Sequence, residues 1–360
     1  MAKDIILGKV GNKKIIIGPG REPLLIAEAG VLTWGEVKRG YIFVDEAKKA
    51  GLKLIKFQAF NADHVVSKSD SFWHNRLKQR ELSKENFFKI KNYAESKGLL
   101  AFATTHNEYD LVNFAKDGMA VLKIGSGDSN NFRMIDLALE TGKPVIVSLG
   151  LMDEKETEIV LKKYRKHADK IVFMYCVTLY PTPPEAVDLS ILGRWRKKYP
   201  EYNFGYSDHV LGKEVAVAAV MNGASIIEKH LCLPADRVKP KHKSYDIIVA
   251  LIPDEMKKLN EDIKNVNTTG GQSFVRVHRV PSKLVKKNIL WARKSITAFS
   301  AIKKGTKIKA KQLVSCRPFD SRKGHISIEF FDDLVGTTAV HDIVAGSFIT
   351  KDDIFGFSKK

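Results

Sequence analysis

The sequence lacks most of what would carry a chain into a membrane or staple it with disulfides. Its 360 residues hold three cysteines, Cys176, Cys232 and Cys316, far apart and never as Cys-x-x-Cys. That excludes a disulfide framework and a cysteine-based zinc site, and leaves three reduced thiols. No apolar run approaches the roughly 18 residues that a membrane span requires. The opening Met1-Ala2-Lys3-Asp4 carries no apolar leader, so the expected location is the cytoplasm. Acidic residues are in deficit too: 41 Asp and Glu stand against 60 Lys and Arg, a net charge of +19. Such a field suits nucleic acid, an anionic membrane or an acidic small substrate. The lysines, however, come mostly as doublets on helical stretches, as at Lys162-Lys163 and Lys197-Lys198, and clustered arginines with interleaved aromatics are missing. This reads as a solvated surface, with neither nucleic acid nor membrane as a partner.

What the sequence does contain is an alternation. Eight short apolar or β-branched runs recur: Leu24 to Ala29, Leu52 to Gln58, Leu99 to Thr105, Val121 to Ser126, Pro144 to Leu149, Ile171 to Cys176, Asn203 to Asp208 and Ser225 to Leu231. Amphipathic stretches follow each, from Glu36 to Ala50 through to Pro253 to Asn265. Eight such βα units predict an α/β fold, a (β/α)8 TIM barrel, with a doubly wound sheet as the competitor. Polar residues gather at the carboxyl ends of the runs: Glu28, Lys56 and Gln58, Lys123 and Ser126, Ser148, Ser207 to His209, and Glu228 to His230. A barrel brings those ends to one face, which favours it. The segment Asn61 to Ser83, with Phe72-Trp73-His74, is long for a βα loop and reads either as a lid or as packing decoration.

Ahead of the barrel, Ile5-Ile6-Leu7 and Ile15-Ile16-Ile17 flank Gly11-Asn12-Lys13, a β-hairpin expected to cap the barrel's base. After Asn267 the texture turns basic and aperiodic. An echo then appears: Ile302, Gly305, Ile308 and Leu313 match Ile343, Gly346, Ile349 and Ile354 at the same separations. The expected layout is a barrel over 1–266, a linker over 267–291 and a small β-rich domain over 292–360.

Three constellations carry chemistry. His209 and His230 end two consecutive runs, so two imidazoles at matching heights can reach one divalent ion, Mn2+ or Mg2+ as readily as Zn2+; either alone reads as structural. Lys56 and Lys123 beside the Gly125-Ser126-Gly127 turn, with Ser148, Ser207 and Tyr180, suit a small doubly anionic ligand, although each serine by itself reads as a turn former. Glu28 beside Lys56 forms either a general acid/base pair or a structural ion pair.

These strings resemble those of the sialic acid synthases. Ile26-Ala27-Glu28-Ala29-Gly30, Lys56-Phe57-Gln58, Lys123-Ile124-Gly125-Ser126-Gly127, Tyr180-Pro181-Thr182-Pro183, Gly205-Tyr206-Ser207-Asp208-His209 and Glu228-Lys229-His230 stand in that family's order. The tail, through Arg317-Pro318 and Leu334-Val335-Gly336, resembles the family's antifreeze-like (SAF, β-clip) domain. The resemblance implies condensation of phosphoenolpyruvate with an N-acetylmannosamine-type amino sugar, giving a nine-carbon 2-keto-3-deoxy acid and phosphate. By motif, His209 and His230 would hold the metal, and Lys56, Lys123, Ser126, Ser148, Tyr180 and Ser207 would hold phosphoenolpyruvate. Glu28, with Lys56, would be catalytic. Gln58, Asp128 and Asp246 would face the sugar, joined by Arg317 from the partner's tail in a domain-swapped homodimer. The sequence departs from the family at Val31-Leu32-Thr33-Trp34-Gly35, where Asn-His, a polar residue and Gly are usual, and again at Asp128, Leu149, Thr178, Phe319 and the basic stretch Asp236 to Tyr245. Most departures touch the acceptor side, which implies an atypical acceptor. The other readings are a synthase acting on another aldose or a phosphorylated sugar, and a catalytically silent sugar-binding barrel.

Overall fold

The computed structural model describes residues 1–268 and 293–355. It divides into two compact units, Met1–Phe274 and Val275–Lys360.

The first unit opens with an antiparallel hairpin, β1 (Ile5–Val10) and β2 (Lys13–Ile17). Leu7 and Ile17 are buried and Gly8 lies against Leu100 at the start of a barrel strand. A Cβ at Gly8 would sit 2.9 Å from Leu100 Cδ2, so a larger residue here would displace the Leu100 side chain. The hairpin thus seals the amino-terminal end of the barrel, as the sequence predicts.

Eight parallel strands close that barrel: β3 (Leu24–Gly30), β4 (Leu54–Gln58), β5 (Leu100–Thr104), β6 (Leu122–Ile124), β7 (Val145–Ser148), β8 (Ile171–Cys176), β9 (Asn203–Asp208) and β10 (Ile226–His230), with β10 pairing back onto β3. Every residue of β3, β5, β6, β7, β9 and β10 is buried. That is why the strands read as continuous apolar runs: helices cover the outside and side chains fill the inside. Several helices begin where the sequence offers side-chain oxygens. Asn131 accepts from Met134 N at 3.0 Å ahead of Phe132–Glu140, and Asp153 and Glu156 form a reciprocal capping box ahead of Glu154–Lys163.

Several boundaries differ from expectation. The fourth run, expected to Ser126, ends at Ile124 because Gly125 turns the chain into a 3-10 helix over Ser126–Asp128. Asn61 to Ser83 is no bare loop: it carries helices Ala62–Val65 and Ser71–Lys78, capped by the Asn61 and Asp70 carboxamide and carboxylate. The last barrel helix, Pro253–Thr268, runs past the expected end at Asn265. Beyond Thr268, the expected linker lies outside the described residues.

The second unit has antiparallel pairs β11 (Ser295–Ala298) with β12 (Leu313–Cys316), and β13 (Thr338–Ala339) with β14 (Ile354–Phe355). The sequence echo is visible in it. Ile302 and Ile343 exchange backbone hydrogen bonds of 2.9 and 2.8 Å, Gly305 and Gly346 take left-handed φ of 76° and 86°, and the matching apolar residues form one core. Only glycine takes such φ without strain, so both echoed glycines sit where a turn demands them. Among the described residues no helix is long and apolar enough to cross a membrane.

Candidate active site

Strand register sets the site. His230 lies opposite Glu28, Glu28 opposite Lys56, Thr104 opposite Lys123, and Ser207 opposite both Cys176 and Glu228. The carboxyl ends of the strands therefore surround one cavity of about 150 Å3, lined by Glu28, Lys56, Gln58, Lys123, Ser126, Ser148, Tyr180, Ser207, His209, Glu228 and His230. Ten of these are residues expected from the sequence. Asp128 reaches the cavity through His106, and Asp246 Oδ2 comes within 3.1 Å of where a Cβ of Gly30 would stand. The same point is 3.4 Å from Glu28 Oε1 and 3.7 Å from Gln58 Nε2, so a side chain on Gly30 would press on Asp246 and touch the other two groups. Arg317 belongs to the second unit, just after β12.

Two buried lysines organise the floor. Lys56 Nζ donates to Thr104 Oγ1 at 3.0 Å and lies 2.9 Å from Glu28 Oε2 and 3.6 Å from Glu228 Oε1. The contact with Glu28 is an ion pair without hydrogen-bond alignment, since neither Glu28 oxygen has a hydrogen-bond partner. Lys123 Nζ donates to Ser148 Oγ at 2.8 Å and stands 3.8 Å from Glu228 Oε1. Burial pushes the Glu28 carboxyl up to about 7; Lys56 opposes this and the Glu228 carboxylate adds to it. Glu228 goes the other way: burial would raise it, but Lys123 and Lys56 together hold it below the usual range. Two carboxylates in one cavity are thus driven apart, one toward carrying a proton and one toward charge. Burial lowers Lys123, with Lys56 adding repulsion.

Two imidazoles occupy the β9–β10 side, with ring centroids 5.5 Å apart, and the Tyr180 ring lies 4.0 Å from that of His209. His209 Nδ1 donates to the Val177 carbonyl at 2.9 Å, so Nε2 is the nitrogen left to take a cation once it gives up its proton. Burial, reinforced by repulsion from His209, holds His230 well below its usual range, a neutral ring whose Nδ1 has no partner. Glu228 Oε2 is likewise buried and unpartnered. Orphaned polar atoms of this kind fit a divalent cation taking two imidazoles, with its other positions left to oxygen ligands. Among the described residues no group of three or more His, Cys, Asp or Glu is drawn together as a ready metal cage.

Alternation along the strand separates neighbours in the quoted strings. Asp208 and Lys229, adjacent to His209 and His230, stay out of the cavity and form a fully buried ion pair of 2.8 Å. Asp208 also accepts from Tyr206 Oη and Val210 N, both at 3.0 Å. The sequence-based set omits Glu228, Thr104, His106, Cys176 and Thr178, all of which line the cavity. For Glu228 a signal was present: it lies two residues before His230 on one strand, hence on the same face.

A closed βα barrel with ionisable groups converging at its carboxyl-terminal rim defines the class of (β/α)8 proteins whose chemistry sits on that face. The chain belongs to the NeuB family, whose profile matches residues 43–274, and a SAF domain matches residues 293–354. It is 32% identical to an uncharacterized protein of Methanocaldococcus jannaschii, over 86% of this chain and 88% of that one. It is 28% identical to the N,N'-diacetyllegionaminic acid synthase of Legionella pneumophila, over 82% and 85%. Among solved structures, the N-acetylneuraminic acid (sialic acid) synthetase of Leptospira borgpetersenii, in complex with citrate, aligns at a TM-score of 0.70 and 30% identity, over 80% of this chain and 96% of that one.

Proposed function

We propose that this chain condenses phosphoenolpyruvate with an open-chain amino-sugar aldehyde of the N-acetylmannosamine type, giving a nonulosonic 2-keto-3-deoxy acid and inorganic phosphate. The observation that carries this reading is the convergence of two buried lysines, two buried carboxylates and two imidazoles at one rim. Phosphoenolpyruvate brings a phosphate and a carboxylate. Lys56 and Lys123 supply fixed cations, and the Ser126, Ser148 and Ser207 hydroxyls and the Tyr180 phenol supply donors. Held there, C3 of phosphoenolpyruvate is aligned with the aldehyde carbon, which removes much of the entropic barrier. C3 forms the new carbon–carbon bond and a water adds at C2. Collapse of that tetrahedral centre then breaks the C2–O bond, releasing phosphate and leaving the ketone.

Glu28, raised toward neutrality by burial, holds or passes the proton in these steps, and Lys56 orients it. His209 and His230 would hold Mn2+ or Mg2+, which when bound polarises the aldehyde as a Lewis acid. Gln58, Asp128 and Asp246 face the sugar, and Arg317 of a second copy completes that pocket in a domain-swapped homodimer. The altered Val31 to Gly35 segment and the Legionella relative's name both point to an acceptor other than plain N-acetylmannosamine. The test is phosphate release from phosphoenolpyruvate with Mn2+ and a panel of 2-acetamido, 2,4-diacetamido and 6-phosphorylated hexoses. Acceptor-dependent release supports the reading. Tight sugar binding without release from any acceptor overturns it in favour of a silent binder.

A further inference from the structure

His106 stands just beyond β5 with φ 58°, in the left-handed region that residues other than glycine seldom adopt and that Asn, Asp and His tolerate best. In this conformation the ring lies between the end of β4 and the turn after β6. Nδ1 lies 3.2 Å from Asp128 Oδ2 and Nε2 lies 3.2 Å from Gln58 Oε1. Phe60 meets the ring edge-on at 5.9 Å, and the ring leaves room for no more than a Cβ on Gly125, which would stand 3.5 Å from its Cε1.

The donor and acceptor inventory then fixes what the neighbours can offer. The structure places an Asp128 carboxylate oxygen against one ring nitrogen and the Gln58 carbonyl, rather than its –NH2, against the other. One Asp128 oxygen and the Gln58 carbonyl are consumed by the ring. Gln58 is left with its –NH2, and that group faces the point where Glu28 and Asp246 converge, 3.7 Å from where a Cβ of Gly30 would be.

We infer that His106 is a positioning residue that sets acceptor specificity: it holds Gln58 with its amide –NH2 toward the cavity, selecting a sugar that presents a hydroxyl or acyl oxygen there. The inference rests on the reading that Gln58 and Asp128 face the sugar. Without the ring the amide is free to turn over, and the cavity loses a fixed donor.

The experiment compares wild type with His106→Gly, which suits the left-handed backbone and removes only the ring, and with His106→Asn, which keeps the backbone and one hydrogen bond. With the best acceptor of the panel, His106→Gly should raise the sugar KM about tenfold, the equivalent of about 1.4 kcal/mol. The phosphoenolpyruvate KM should change less than about twofold, and His106→Asn, whose shorter amide can reach Asp128 and not Gln58, should recover little of the loss. In a double-mutant cycle, Gln58→Ala should cost far less in the His106→Gly background than in wild type, because the ring acts through Gln58. An unchanged sugar KM, or effects that multiply independently, would overturn the inference. Sugar affinity measured by calorimetry separates the two levels. A wild type that turns over no acceptor counts against the proposed reaction, whereas equal sugar binding by wild type and His106→Gly counts against His106. A wild type that binds no sugar of the panel sinks both.

Discussion

Glu28→Gln separates the catalytic and electrostatic roles of a deeply buried carboxyl. Glu28 is 1% exposed, and its environment moves it from the ordinary 4.5 to about 7. Between those two pH values the native carboxyl retains a proton that the unfolded chain has released. Native protein therefore binds more protons, and its stability falls as pH rises through the window. The contribution is full below 4.5 and lost above about 7. At about 1.4 kcal/mol per pH unit, the rise corresponds to about 3 kcal/mol. Glutamine keeps the shape and cannot titrate. Urea denaturation of both proteins from pH 4 to pH 8, without metal or phosphoenolpyruvate, should show wild type losing about 3 kcal/mol relative to Glu28→Gln across the window. Turnover of the variant should fall by about a hundredfold or more while phosphoenolpyruvate binding is nearly retained. A pH-independent difference between the two proteins would refute the electrostatic reasoning, and wild-type turnover would refute the catalytic role.

Two further outcomes follow from the geometry, and a third from the role proposed for Arg317. Lys123→Met removes the ammonium that bonds Ser148 and faces Glu228, so phosphoenolpyruvate affinity measured by calorimetry should drop at least about tenfold, at about 1.5 to 3 kcal/mol for a hydrogen bond to a charged group. Asp208→Asn leaves Lys229 buried without its counter-ion. It should cost about 3 to 5 kcal/mol in denaturant unfolding, while the folded variant keeps the wild-type KM for phosphoenolpyruvate, since neither residue lines the cavity. Arg317→Ala should raise the acceptor KM and leave Mn2+ affinity unchanged; an unaltered acceptor KM would remove the tail from the sugar pocket.

The fold was legible where pattern and environment agree. Ile171–Cys176 and Asn203–Asp208 are strands over the ranges their apolar runs mark, because strands buried on both faces need no polar alternation. The fourth strand was overextended because the Gly125 turn, unlike proline, leaves the preceding pattern intact. The helices between Asn61 and Ser83 escaped because they are too short to show periodicity, and only their caps signal them. Within the site, strand-end placement found Glu28, the two lysines and the two imidazoles. His106 was invisible for a physical reason: its place in the cavity depends on a left-handed backbone that no residue pattern announces. Asp208, which the same strings set beside His209, faces away because side chains alternate along a strand.

The most direct test is anomalous diffraction from crystals grown with Mn2+ and phosphoenolpyruvate. The account predicts one manganese peak within about 2.3 Å of a nitrogen of both His209 and His230, with the phosphoenolpyruvate anion on Lys56 and Lys123 in the same cavity. Manganese bound elsewhere, or phosphoenolpyruvate density away from those lysines, would contradict it.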